Sequence, residues 1–158
     1  MATWQPNLDP LISGIPRLSS LLRSIGDAIN ADLGVTAAMR GVMASLAAAG
    51  PRTVPDLARE RTVSRQHIQA VVNELIAAGL SRAVANPAHR RSVLIELTDK
   101  GRQAYAQVRS REVEVMARTA PAVSAADLAA AMRLFDVLEH ELAARAAEAR
   151  TLADAGPA

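Results

Sequence analysis

Between Thr53 and Leu97 the chain is punctuated so closely that few folds can accommodate it. Thr53 stands as an N-cap before Val54 to Glu60, Pro55 is pre-set for a first helical turn, and Asp56 suits the positive end of the helix dipole. Only Arg61, Thr62 and Val63 separate this short helix from Ser64, the N-cap of a second helix over Arg65 to Ala78. Gly79 ends that helix at the left-handed position a helix C-terminus favours. Ser81 to Ala85 and Ser92 to Leu97 then read as two strands about a turn at Asn86-Pro87, with Val93, Ile95 and Leu97 alternating with Leu94 and Glu96.

The second helix carries two unlike faces. Ile68, Val71, Val72 and Leu75 share one side and demand burial. Arg65, Gln66, Gln69, Ala70 and Asn73 share the other, where no apolar side chain exceeds alanine. Arginine, glutamine and asparagine pair bidentately with guanine and adenine edges, and a single helix fits the major groove. An ordinary amphipathic helix shows the same pattern, so the flanking elements carry weight. Two short helices followed by a ribbon form a winged helix-turn-helix. Arg90 and Arg91 sit at the ribbon tip, where nothing packs them, and a wing arginine can enter the narrow minor groove. A solvated hairpin tip is the plain alternative.

The rest of the chain reads as helix. Alanine is about one residue in five, and the aromatics are Trp4, Tyr105 and Phe135. Asn7 to Gly14 reads as a leading arm. A helix is predicted from near Ile15 and Pro16 to Gly34, with Ile15, Leu18, Leu22, Ile25 and Ile29 in one apolar stripe. Thr36 caps the next helix, to about Ala49, whose stripe includes Met39, Val42, Met43 and Leu46. After the ribbon, Thr98 caps a long helix to about Arg118. Ser124 to Asp127 looks like a capping box before a last helix striped by Leu128, Ala131, Phe135, Leu138 and Leu142. Thr151 to Ala158 reads as a frayed tail.

Charge is unevenly spread. Residues 1–51 are neutral, 52–111 hold ten Arg and one Lys against five acids, and 112–158 hold four Arg against eight acids. A basic middle is the footprint of a polyanion site. The preference for arginine fits phosphate and guanine recognition, and a GC-rich genome accounts for it equally. With no cysteine, disulfides, thiolate nucleophiles and cysteine zinc sites are excluded. His67, His89 and His140 share no ligand spacing, and no catalytic set or phosphate loop is recognisable. Neither a cofactor, a metal nor an enzymatic activity is expected. The longest stretch without a charge, Gly41 to Pro51, is far short of the about 20 apolar residues of a membrane span. The start of the chain has no signal-peptide pattern, so a cytoplasmic location is expected.

The runs Thr53-Val-Pro-Asp-Leu-Ala-Arg-Glu, Val63-Ser-Arg-Gln-His-Ile-Gln-Ala-Val-Val-Asn-Glu-Leu and Ala78-Gly79-Leu80 resemble the MarR family of multiple-antibiotic-resistance regulators. So do Asn86-Pro-Ala-His-Arg-Arg-Ser and Leu97-Thr98-Asp-Lys-Gly101-Arg102. The resemblance spans roughly Ile15 to Arg145. It implies a homodimeric bacterial or archaeal transcription regulator, mainly α with a small β-hairpin wing. The expected division is an arm and dimerisation helix (1–34), a winged helix-turn-helix (35–100), C-terminal dimerisation helices (101–150) and a flexible tail (151–158). The implied partner is double-stranded DNA, with Thr53, Ser64, Arg65, Gln66, Gln69, Asn73, Arg90 and Arg91 as candidate contacts. A small aromatic or amphipathic effector would lie between the helical base and the DNA-binding lobe, near Ile25, Met39, Met43 and Tyr105. Those methionines also read as core gap-fillers, and Tyr105 as packing at the dimer base.

Three positions depart from the family pattern. Asn86 and His89 replace wing aspartates, so no ion pair is expected to hold the wing arginines. Thr62 replaces a frequent glycine, so a differently built turn is expected. Ala70 replaces a longer polar residue, which removes one base contact. The sequence thus points to a ligand-responsive repressor on an inverted-repeat operator. A DNA-binding regulator without an effector, and a helical scaffold that has lost DNA binding, are the alternatives.

Overall fold

A computed structural model describes residues 7–89 and 91–154. The chain divides into two compact units, Met1–Glu114 and Val115–Ala158. The first contains α1 (Asp9–Ile29), a 3-10 turn (Ala31–Leu33), α2 (Ala37–Ala49), α3 (Val54–Glu60), α4 (Arg65–Ala77), β1 (Ser81–Ala85), β2 (Val93–Leu97) and most of α5 (Asp99–Thr119). The second contains the end of α5, a 3-10 turn (Ala120–Ala122) and α6 (Ala125–Asp154). Among the described residues no helix is long and apolar enough to cross a membrane.

The predicted caps are in place. Thr36, Thr53 and Ser64 accept from the backbone N–H of Met39, Asp56 and His67. Three boundaries differ from the sequence reading. The expected leading arm is helical from Asp9, because Pro10 falls in the first turn, where a missing N–H costs nothing, and Asn7 Oδ1 accepts from the Asp9 N–H at 2.9 Å. Helix α6 runs on to Asp154, so Thr151–Asp154 continue it; residues 155–158 of the expected tail lie outside the described residues. Helix α1 stops at Ile29, short of Gly34. The buried Asn30 turns its Nδ2 back to the Gly26 carbonyl at 2.8 Å, and the 3-10 turn ends on left-handed Gly34.

The core is built from the faces the periodicity selects. Val42, Met43 and Leu46 of α2 join Leu57 of α3, Ile68, Val71, Val72 and Leu75 of α4, Ile95 and Leu97 of β2, and Val108 of α5. Each such side chain contributes about 1.5–3 kcal/mol when removed from water. The hairpin is antiparallel, with register Ser81↔Leu97 to Ala85↔Val93. Arg52 bridges Ile95 through both backbone bonds, adding a one-residue third strand. Ile95 and Leu97 are buried as the alternation requires, but Val93, on the same face, is exposed because the hairpin runs outward past the core.

Two polar junctions tie this unit together. At the α1–α2 corner, Arg40 of α2 is only 9% exposed in its side chain and pairs with Asp27 of α1 at 2.9 Å and Glu112 of α5 at 3.6 Å. Beside it, Arg111 of α5 holds Asp32 through both guanidinium nitrogens and donates to the Ile29 carbonyl. The Arg111 contact keeps the Asp32 carboxyl below its ordinary carboxylate range. The second junction lies at the start of α5. Thr98 Oγ1 donates to the Gly79 carbonyl at 2.7 Å and accepts from the Gly101 N–H at 3.0 Å. Lys100 Nζ donates to the Ala78 carbonyl at 2.8 Å, and Arg102 Nη1 to the Leu97 carbonyl at 2.6 Å. The backbone of α5 comes so near that a Cβ on Gly101 would sit 1.9 Å from the Leu80 carbonyl oxygen.

This approach predicts the sign of one substitution. In an open helix, Gly→Ala stabilises by about 1 kcal/mol. At Gly101 the obstacle is backbone, and overpacking of this kind costs about 1–3 kcal/mol or more. Gly101→Ala should therefore lose about 1 kcal/mol or more net in urea unfolding. A variant as stable as the parent would contradict the close approach.

Candidate nucleic-acid interface

The candidate interface is the outer side of α4 with the hairpin tip. Arg65, Gln66, Gln69, Ala70 and Asn73 are all exposed, while Ile68, Val71, Val72 and Leu75 are buried. Ser64 Oγ accepts from the His67 N–H at 3.1 Å. Gln69 Nε2 donates to Asn73 Oδ1 at 2.9 Å. Arg65 and Gln66 make no side-chain bond to another described residue. Thr53 is placed differently from these. It is half-buried, and its hydroxyl proton goes to Asp56 Oδ2 at 2.6 Å while its oxygen accepts from the Asp56 N–H. That hydroxyl, and then Arg59, keep the Asp56 carboxyl below its ordinary range. Thr53 thus shapes the start of α3, with its only O–H already donated.

Two matching helix ends aim α4. At the end of α4, the Leu80 N–H donates to the Leu75 carbonyl and the Gly79 N–H to the Ile76 carbonyl, with Gly79 at φ 70°. At the end of α3, the Val63 N–H donates to the Ala58 carbonyl and the Thr62 N–H to the Arg59 carbonyl, with Thr62 at φ 55°. Both are Schellman ends, closed around a left-handed residue. The helix-turn-helix turn is therefore the ordinary left-handed one despite the threonine, contrary to the expectation of a different build. A β-branched residue there is strained.

The wing tip is organised without aspartates. Asn86 Oδ1 accepts from the Ala88 N–H at 3.0 Å, and Asn86 Nδ2 donates to Ser92 Oγ at 2.8 Å. The Ser92 hydroxyl donates to the His89 carbonyl at 3.1 Å. Arg82 and Glu96, paired across the strands, form an exposed ion pair at 2.7 Å. Arg91 is exposed at the turn. Arg90 lies outside the described residues.

Of the four candidate effector residues, three belong to the core or pack on it. Met39 and Met43 are buried in the core, Tyr105 packs half-buried against it, and Ile25 is exposed on α1. A cleft of about 290 Å³ at the α1–α2 corner is lined by Asp27, Asn30, Ala31, Gly34, Val35 and Thr36, which include none of the four. Sequence reasoning also passed over the working parts of Leu97-Thr98-Asp-Lys-Gly101-Arg102. Thr98 and Lys100 close the C-terminus of α4, and Arg102 closes that of β2. Their signal was the motif itself, whose spacing shows no partner until Gly79 and Ala78 are brought beside it.

A two-faced helix held by a tight left-handed turn and flanked by a hairpin defines a winged helix-turn-helix protein. The model of the MarR family matches residues 33–92. An uncharacterized protein of Mycobacterium tuberculosis is 38% identical over 120 residues, 76% of this chain and 83% of that protein. The crystal structure of a MarR-family transcription regulator is similar at a TM-score of 0.80 and 25% identity, covering 89% of this chain and 93% of that one. A variant of MarR from Escherichia coli, complexed with operator DNA, shares the fold at a TM-score of 0.73 and 19% identity, over 85% of this chain and 99% of that one. The chain belongs to the MarR family, whose members are DNA-binding transcription regulators and not enzymes.

The left-handed threonine has a measurable consequence. Strain of this kind costs about 1–2 kcal/mol, and glycine's extra chain entropy about 0.5–1 kcal/mol. Thr62→Gly should therefore stabilise the protein, by about 0.5–1 kcal/mol in chemical denaturation. A loss of stability would show that the Thr62 side chain makes a compensating contact.

Proposed function

We propose that this protein is a homodimeric, ligand-responsive repressor of the cytoplasm that binds an inverted-repeat operator in double-stranded DNA. The observation that carries the reading is α4, buried on one face and presenting Arg65, Gln66, Gln69 and Asn73 on the other. These residues, with Ser64, meet base edges and phosphates in the major groove. The wing reaches the flanking minor groove through Arg91 and its neighbour Arg90. Thr53 contributes by capping α3. Residues 35–100 form the DNA-binding module, and 1–34 and 101–150 supply the dimer contacts. Half-sites lie about one helical turn apart, as two-fold symmetry requires.

Exposed apolar stripes support the dimer. On α1, Ile12, Ile15, Leu18, Leu22 and Ile25 are exposed; on α6, Leu128, Phe135 and Leu142 are exposed. Soluble monomers avoid contiguous apolar surface of this kind. Operator occupancy alone suffices to block a promoter. An effector releases the operator only if it prefers the conformation with the wrong lobe spacing. The corner cleft, beside the Asp27–Arg40 ion pair, supports a small ligand there.

Light scattering at micromolar concentration should give twice the 16.6 kDa chain mass, and a stable monomer would reject the dimer. A gel shift with the promoter of the protein's own gene tests DNA binding. The complex should weaken steeply with salt. Alanine at Gln66 or Gln69 should each relax preference at one base pair by about 1–3 kcal/mol. If all base preference survives the combined replacement of Arg65, Gln66, Gln69 and Asn73, α4 is not the reading helix. A shift that no phenol or aromatic acid releases would leave the DNA reading standing and remove the effector.

A further inference from the structure

We infer that the cleft at the α1–α2 corner takes a small organic cation, a primary ammonium on a short apolar body, held by Asp27, Asn30 and Thr36. The inference rests on the ligand proposed for that cleft and adds its charge.

Asp27, Asn30 and Thr36 are the lining residues with hydrogen-bonding side chains; Ala31, Gly34 and Val35 complete the wall. No lysine, arginine or histidine lines the cleft. Asn30 is fully buried, yet its Oδ1 receives no hydrogen bond. The order of its amide is fixed, because Nδ2 donates at 2.8 Å to the Gly26 carbonyl, which can only accept. Turning the amide over would set two carbonyl oxygens against each other. Asp27 is half exposed, with Oδ1 held by Arg40 at 2.9 Å and Oδ2 bonded to no described residue. Thr36 Oγ1 accepts from the Met39 N–H and gives its own proton to no described residue.

A buried oxygen without a donor forfeits a bond that an entering N–H restores. An ammonium brings three such donors and the charge that Asp27 attracts, whereas a carboxylate would meet the Asp27 and Asn30 oxygens head-on. The 21-residue helix α1 ends at this wall, and the negative end of its dipole favours a cation further. Arg40 links the cleft to α5. Its Nη1 is shared between Asp27 and the Val35 carbonyl, and its Nε faces Glu112 at 3.6 Å. An ammonium draws on the same Asp27 carboxylate, so Arg40 is held less by α1 and relatively more by α5.

The cleft of about 290 Å³ is at the small end for ligand pockets and suits about ten heavy atoms. Titration calorimetry on the full chain without DNA compares three phenols of similar size: tyramine, which carries an ammonium, neutral 4-ethylphenol, and anionic 4-hydroxyphenylacetate. Tyramine should bind with a Kd of about 1 mM or tighter, and at least about tenfold more tightly than either of the others. Asp27→Asn should weaken tyramine about tenfold. Because that variant also leaves the buried Arg40 short of a partner, Ala31→Lys, at an exposed lining position, is the second variant. It should fold as the parent does, weaken tyramine about tenfold and favour the acid instead. In labelled protein the Asn30 side-chain amide resonance should shift on adding tyramine, and not on adding the acid. Equal binding of all three phenols, tighter binding of the acid, or tyramine affinity unchanged in Ala31→Lys overturns the inference. If none of the three binds, the inference and the cleft ligand both fall while the DNA-binding reading stands. Tyramine that binds as expected but leaves the gel shift unchanged upholds the cation site and removes its role as effector.

Discussion

The contact on which the arrangement depends is the approach of α5 to the chain leaving α4. With the Leu80 carbonyl against Gly101, only the absence of a side chain lets the two backbones meet. Thr98 then works in both directions, donating to the Gly79 carbonyl and capping α5 through the Gly101 N–H. Lys100 and Arg102 satisfy the carbonyls that would otherwise face α5 unpaired. The end of α4, the last strand of the hairpin and the first turn of α5 are thereby one joint. Any movement of α5 reaches the polar face of α4 through backbone contacts that cannot give.

The same economy governs the other end of α4. Its start is set by the way α3 finishes, since Thr62 and Val63 close the Schellman bonds and leave Ser64 placed to cap. A helix whose two ends are both fixed by backbone bonds has little freedom to roll. That rigidity is what a polar face needs if its side chains are to meet base edges in a fixed register.

Features decided within a turn or two of chain were legible in the sequence. Ser64, Gly79 and the quartet Ile68, Val71, Val72 and Leu75 declare themselves by spacing, because caps and helix faces are local. The Gln69–Asn73 bond has the same four-residue spacing and could have been read with them. Features that need a distant partner were not legible. Nothing near Gly101 in sequence shows that Leu80 lies against it, and nothing near Arg40 shows that Asp27 and Glu112 allow its burial. Thr62 was misread for an instructive reason. Propensity disfavours a left-handed threonine, but the packing of α3 on α4 imposes the turn and outweighs the strain. At the wing, the missing aspartates removed the expected ion pair, and neutral hydrogen bonds of Asn86 and Ser92 organise the turn in its place.

The α1–α2 corner carries a consequence for the order of folding. Arg111 meets Asp32 across 79 positions of chain, whereas the Asn86–Ser92 bond closes across six. Closing a loop costs about 0.6 kcal/mol more for each doubling of its length, so the corner starts at a disadvantage of about 2 kcal/mol. Local closures therefore come first: the hairpin, the two Schellman ends and the packing of α3 on α4. The Asp27–Arg40 pair closes across only 13 positions and joins α1 to α2 early, whereas the Arg111–Asp32 and Arg40–Glu112 pairs fasten the corner to α5 last. Opening of this corner is then a partial event, in which the hairpin and the packed pair α3 and α4 keep their shape after α5 has let go of the corner.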